Sequence, residues 1–312
     1  MSASVGTVRS LRNAPLRGLL YMLAGVFCMS VMDAAAKWLT AGYSLAQIIF
    51  IGRLPMPLFA IGLALANGGL FTLRTGRLGL HLLRSLASAA TMVSFFMCLR
   101  LLPLADTVAI TFVSPLLMSA LSVPILGERV GPRRWTAIAV GFIGVLVILQ
   151  PSGTGFGLGP ALALFAALTY ALFSNLSRRM SDTEPSHSQL FWVSIALLLG
   201  SGAIVPFQWV PPRGDDVLAF AIFAFVGTLG QFLLIQALRY GEVSLVASME
   251  YSALVWAALF GFMFWNQLPT LTVVAGAAII AASSFYIVQR EARLARRLDR
   301  RSRSPQLPPD GI

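Results

Sequence analysis

Charge is what most of this sequence lacks: only 11% of its 312 residues are Asp, Glu, Lys or Arg. Between Gly18 and Gln289 the few charges are separated by apolar runs of about twenty residues each. Cysteine and histidine are as scarce, two of each. Cys28 and Cys98 both fall inside apolar runs, where a free thiol behaves as a small hydrophobe, so no disulfide framework is expected. His81 and His187 stand far apart in sequence and unaccompanied at the ends of such runs, which leaves no metal cluster and no nucleophile–base set. The residues call for no cofactor. The Gly153, Gly155, Gly157, Gly159 run lacks a following Gly-Lys-Ser/Thr and reads as a flexible link rather than a phosphate loop. Polar stretches long enough for a soluble domain are missing too.

What is present is hydrocarbon: 57% hydrophobic residues and a mean hydropathy of +0.79. A bilayer core about 30 Å thick takes about 20 residues of helix. Ten such segments are expected, at residues 16–40, 44–67, 78–101, 104–126, 135–150, 158–178, 188–206, 217–239, 243–265 and 271–289. Bare backbone polar groups are too costly in lipid, so each is a helix, and the short links make neighbours antiparallel. The fold class is all-α integral membrane. The first segment continues into Met32-Asp33-Ala34-Ala35-Ala36-Lys37 and reads as a retained anchor, not a secretory signal.

With the N-terminus in the cytoplasm, nineteen Lys and Arg residues fall on that side, Arg84 counted among them. Three, Lys37, Arg100 and Arg213, fall on the other, and Arg53 stays within the membrane. That bias places both termini in the cytoplasm. The net charge of +11 is then mostly topology. The seven arginines from Arg290 to Arg303 suit anionic headgroups rather than a nucleic acid. Residues 1–15 form a cytoplasmic tail, and residues 291–312, ending in a proline-rich stretch, are expected to be basic and disordered.

The chain also repeats itself. At an offset of 139, Leu99-Arg100 falls on Leu238-Arg239, Glu128 on Gln267, Trp135 on Val274 and Gln150 on Gln289. An offset of 141 puts Gly18 on Gly159 and Lys37 on Arg178. Two five-helix copies, residues 16–150 and 156–290, follow. Five is odd, so the second copy is inverted, the plan of secondary transporters with a site at the repeat interface near mid-membrane.

Several motifs occur in a telling order: Met32-Asp33-Ala34-Ala35-Ala36-Lys37, Arg53, Leu99-Arg100-Leu101-Leu102-Pro103-Leu104-Ala105, Ser114-Pro115 and Leu126-Gly127-Glu128-Arg129. In that order the chain resembles the EamA-type branch of the drug/metabolite transporter superfamily, over everything except the tails. The resemblance implies a ten-helix bacterial inner-membrane carrier working by alternating access. The second copy departs from the pattern: Asn266-Gln267 stands in place of Gly-Glu, and nothing matches Arg53. Within the family, Glu250-Tyr251-Ser252-Ala253-Leu254-Val255-Trp256 is similar to members that take up S-adenosylmethionine or riboflavin.

A carboxylate at membrane depth costs a few kcal/mol, about 2.5 to 3.5 on insertion scales, so it is kept where it is paired or faces water. Glu250 is the leading coupling candidate; the alternative is a buried Glu paired with Arg53 or bonded to a helix end. Arg53 could clamp an anionic group with its fork of donors, or pair with Asp33 or Glu250. Pro55 and Pro57 follow it and should bare the carbonyls of Ile51 and Arg53. Asp33 and Lys37 share a helix face in the order that favours an ion pair, with Lys37 snorkelling at the outer end. Asp106 begins a helix, where a carboxylate suits the dipole. Polar stripes add Tyr170, Ser174 and Ser177; Thr107, Thr111, Ser114 and Met118; and Ser88, Thr91 and Phe95. Gln231, Tyr251, Trp256 and Gln47 complete the candidate wall, although any one stripe could equally be interhelical packing. Ala137-x-x-x-Gly141 and Ala278-x-x-x-Ala282 offer small faces at the back of each half or at a dimer seam.

The expected activity is secondary transport of a small organic metabolite, proton-coupled or by exchange, as a monomer or homodimer in the lipid bilayer, with no nucleic-acid partner. The alternatives are an exporter of amino acids or drugs with the same fold and, from another class, an integral-membrane enzyme.

Overall fold

A computed structural model describes residues 15–128, 131–149, 157–181, 183–240 and 249–303. Eight helical segments are long and apolar enough to cross a bilayer, and two shorter apolar ones, Met249–Trp265 and Leu271–Ile287, complete the order expected from sequence. Several spans are broken. Span two is split into Leu45–Arg53 and Pro55–Ala66, span four into Leu104–Thr111 and Ser114–Leu126. Span eight runs from Gly214 through a π turn at Ile222–Val226 to Tyr240, and span nine enters by a 3-10 turn, Met249–Tyr251, before Ser252–Trp265.

Local chemistry sets these ends. Ser44 caps span two, its hydroxyl accepting from Gln47 N at 3.2 Å. Pro55 restarts the helix after Leu54, because its missing N–H costs nothing in a first turn. The Ile51 carbonyl is not left bare as expected: Leu54 N tightens onto it at 3.3 Å. Span ten does not stop at the membrane. It continues as helix to Arg303, which corrects the expected disorder of residues 291–303. Its Arg, Ala, Leu and Glu residues are strong helix formers, and an existing helix needs no new nucleus. Residues 304–312, and the Gly153 and Gly155 part of the link, lie outside the described residues.

The repeat is written into backbone hydrogen bonds. Span four ends with Gly127 at φ 70°, Gly127 N bonding to Val123 O and Glu128 N to Ser122 O. Span nine ends with Asn266 at φ 54°, Asn266 N bonding to Phe262 O and Gln267 N to Gly261 O. Every residue of the second cap is 139 beyond its counterpart in the first. Asparagine keeps the left-handed turn where glycine is lost because its short polar side chain tolerates that conformation.

Spans five (Pro132–Leu149) and ten cross on each other. A Cβ added at Gly144 would lie 2.8 Å from the Gly276 carbonyl oxygen, so the two backbones are nearly in contact there. Gly276 also meets Ile148 while Gly141 meets Ser283, so the two helices run antiparallel. The offset of 139 exchanges the contact Gly144 to Ile280 with the contact Gly141 to Ser283. Equivalent helices crossing antiparallel through exchanged contacts define a two-fold relation between inverted copies. Of the two small faces expected from sequence, Ala137 is buried and Gly141 lies in this crossing, whereas Ala278 and Ala282 are exposed; the small residue that span ten turns to span five is Gly276. The same relation pairs span one with span eight and span six (Leu158–Met180) with span three (Leu78–Leu101) along most of their length.

Candidate functional site

The break in span four faces the 3-10 turn Met249–Tyr251 of span nine. Phe112 follows Thr111 at the break, and its ring lies 5.2 Å from that of Tyr251 in the turn, inclined by 30°. These two residues are equivalents under the offset of 139, so the pseudo-two-fold passes between them. Glu250 is then the counterpart of Thr111, a carboxylate in one copy where the other has a hydroxyl. Thr111 turns back to Val108 O at 2.9 Å. Glu250 is exposed, and among the described residues no hydrogen bond or ion pair engages it. Its charge reaches Tyr170 and Tyr251. Tyr170 comes from span six, is 44% exposed and lies 6.3 Å from the Phe173 ring. Five residues along span nine, Trp256 packs against Phe27 at 4.9 Å and Phe260 at 6.2 Å. Glu250, Tyr251, Tyr170 and Phe112 thus come together where the two repeats meet; Phe112 was not among the residues singled out from sequence, although the offset marks it.

The other candidates are dispersed around this point. Arg53 ends the first half of span two, with Nη2 2.9 Å from Met92 Sδ, a weak acceptor. Among the described residues no ion pair joins it to Asp33 or Glu250. Asp33, Ser174, Ser114 and Gln231 are half-buried. Lys37 does not pair with Asp33 and does not snorkel. It is 8% exposed and donates to the carbonyls of Leu99 (3.0 Å) and Leu102 (2.6 Å), with the Trp265 ring 5.4 Å away. The end of a neighbouring helix offers bare acceptors and a negative dipole, a better site than Asp33 on its own helix. The Thr91 and Thr169 hydroxyls join spans three and six at 2.9 Å, and Asn175 donates to Met118 O at 3.1 Å, so these polar residues serve packing.

Polar joins close both ends of the bundle. At one end Tyr43 donates to Asp216 Oδ2 at 2.7 Å and accepts from Arg213 N at 2.9 Å, while Trp38 donates to Asp216 Oδ1 at 2.9 Å. Gln47 and Val210 exchange two hydrogen bonds, at 2.7 and 3.0 Å. Burial, and then the bond to Asp216, push the Tyr43 phenol above its ordinary value. At the other end Glu184 gathers Thr75, Ser188 and His81, and His187 meets Thr72 at 2.8 Å. The two histidines are therefore accompanied, contrary to their isolation in sequence. Arg84, counted from sequence among the cytoplasmic charges, is buried within span three, donating to Ser177 and to the Gln189 carbonyl. Its i, i+3 spacing from His81 was the available signal. Among the described residues no three His, Cys, Asp or Glu gather as metal ligands. Crevices of about 310 Å³ (Trp38, Phe264, Asp215) and about 830 Å³ (Leu86, Val93, Ile204) have mostly apolar linings, and Glu250 lines neither.

The sequence profile of the EamA-like transporter family matches residues 16–150 and again residues 157–289. The chain is similar to the S-adenosylmethionine uptake transporter of Rickettsia prowazekii, 25% identical over 88% of this chain and 94% of that one. It is 28% identical to the riboflavin transporter of Vibrio cholerae, over 92% of this chain and 98% of that one. It is 26% identical to the pseudopaline exporter of Pseudomonas aeruginosa, over 85% and 94%. A crystal structure at 22% identity and a TM-score of 0.61, covering 91% of this chain and 99% of that one, shares the fold.

Proposed function

The chain belongs to the EamA-like transporter family, and from that premise we propose that it is a proton-coupled secondary carrier for a small metabolite with a planar, heteroaromatic body. It is a multi-pass membrane transporter and not an enzyme. The observation that carries the proposal is Glu250: an exposed ionisable side chain without a partner among the described residues, in a 3-10 turn on the pseudo-two-fold, beside Tyr251 whose ring meets that of Phe112. Broken helices at a repeat interface supply free backbone groups for a ligand, and flat rings supply faces for a flat solute. Relatives named for S-adenosylmethionine and riboflavin, both of them planar heteroaromatics in part, support that class. Arg53, Asp33, Trp256, Ser174, Thr111, Ser114 and Gln231 complete the binding and coupling set. The Lys and Arg distribution supports a bacterial inner-membrane protein with both termini in the cytoplasm.

Uptake in proteoliposomes with an imposed pH gradient tests this, using S-adenosylmethionine and riboflavin as probes. Glu250→Gln is expected to abolish gradient-driven uptake in a folded protein. Uptake that stays gradient-driven in the variant removes Glu250 from coupling. Export is the second reading, carried by the likeness to the pseudopaline exporter; everted vesicles that accumulate the probe would establish it.

A further inference from the structure

We propose that His81 and Glu184 form a second proton-binding site, one that latches the end of the bundle where the arginine-rich connections lie. The role of the latch as a gate rests on the carrier reading above; the proton site itself rests on geometry. His81 and Arg84 are 2% exposed and Glu184 6%, so three ionisable side chains are buried together between span three and the start of span seven (Ser186–Gln208). One Glu184 oxygen accepts from Thr75 at 2.5 Å, the other from Ser188 at 3.1 Å. The second oxygen also lies 3.8 Å from His81 Nε2, yet neither imidazole nitrogen has a hydrogen-bond partner among the described residues. A buried imidazole rarely leaves both nitrogens bare, because each would lose a bond to water without replacement. A movement of about 1 Å would turn this contact into a charge-assisted hydrogen bond of about 2.8 Å, once a proton makes the imidazole a cation. The Trp192 ring, 5.8 Å from the His81 ring, offers that cation a face.

The remaining charges leave this pairing free. Arg84, one turn along, opposes a second positive charge, but its guanidinium is engaged by Ser177, the Gln189 carbonyl and the Phe173 ring rather than by Glu184. His187 is turned to Thr72. Arg178 reaches Glu128 at 2.9 Å, and Arg74, Arg77 and Arg179 are exposed.

The opposite end carries the counterpart of this cluster. An offset of 141 places Tyr43 on Glu184 and Thr75 on Asp216, so the Tyr43 to Asp216 bond and the Thr75 to Glu184 bond are counterparts with donor and acceptor exchanged. Against Tyr43 lies the Phe220 ring at 4.9 Å, and the offset of 139 that holds from span three onward places His81 on Phe220. One end of the molecule thus carries a carboxylate and an imidazole where the other carries a phenol and a phenyl ring. A proton bound in the closed latch favours closure, and by linkage opening releases it. Acid therefore holds this end shut, and rising pH loosens it.

Amide hydrogen exchange of the full chain in nanodiscs, at about pH 5.5 and about pH 8 on either side of the imidazole value of about 6.5, tests the proposal. After correction for intrinsic rates, residues 70–80 and 183–192 are expected to exchange about tenfold more slowly at the acid value. His81→Gln and Glu184→Gln should each erase the difference, leaving the fast rate at both values. His81→Arg, a permanent cation, should keep the slow rate at both. Thr75→Val should speed exchange at both values and keep the difference. Absence of acid protection in the unmodified chain overturns the proposal. So does protection that survives His81→Gln but is lost in Glu250→Gln, which would place the proton at the centre. Exchange needs no substrate, so failure of the transport assay would leave this result standing, and the reverse.

Discussion

Lys37 and Arg53 show two ways of keeping a cation within hydrocarbon. Lys37 reaches across to two carbonyls at the end of span three, and charged hydrogen bonds of that kind are each worth about 1.5 to 3 kcal/mol. Among the described residues Arg53 meets only the Met92 sulfur. A guanidinium with five donors and one weak contact is available to a ligand, and that argues a specific outcome. Arg53→Ala should change thermal stability by no more than about 1 kcal/mol, since no ion pair is lost, while thermal stabilisation by the transported probe drops or vanishes. A variant that unfolds or aggregates where Glu250→Gln does not would instead make Arg53 structural. At this scale the sequence showed which side chains are rare but not whom they meet. Asp33 and Lys37 have the spacing of an ion pair, yet spacing along one helix says nothing of acceptors on the next. His81 and Glu184 are about a hundred positions apart and were brought together only by tertiary structure.

The interruptions of the helices matter more than their lengths. Span boundaries were readable because charges and turn residues punctuate an otherwise apolar chain, and the break after Arg53 was readable from Pro55. The entry to span nine was not, since Met249-Glu250-Tyr251 contains no proline or glycine; only its counterpart around Phe112 points to it. The helical course of residues 291–303 is hidden in the sequence by the proline-rich stretch beyond it, although its own residues favour a helix. The cap at Asn266 supplies the test at this scale. Asn266→Gly should be neutral or stabilising by up to about 1 kcal/mol, and Asn266→Val destabilising by about 1 to 2 kcal/mol, because a β-branched residue pays the full cost of the left-handed region. Thermal unfolding of both variants in detergent measures this; equal behaviour would mean that the turn does not terminate span nine.

Over the whole molecule, two inverted copies have kept their backbone joins and diverged in their side chains. The caps at Gly127 and Asn266 match bond for bond, and spans five and ten cross through exchanged contacts. Against that common frame stand Glu250 opposite Thr111, and His81 with Glu184 opposite Phe220 with Tyr43. Ionisable groups present in one copy only break the two-fold equivalence of the copies.

Glu250 is expected to lie in a water-filled space that opens alternately to the two sides of the membrane. Labelling of Glu250→Cys, in a chain whose two native cysteines are replaced by alanine, by a small membrane-impermeant thiol reagent in sealed vesicles of each orientation tests it most directly. Reaction from both sides, slowed by the transported probe, is the predicted result. Reaction only with a lipid-soluble maleimide, or from one side regardless of probe, would contradict the account.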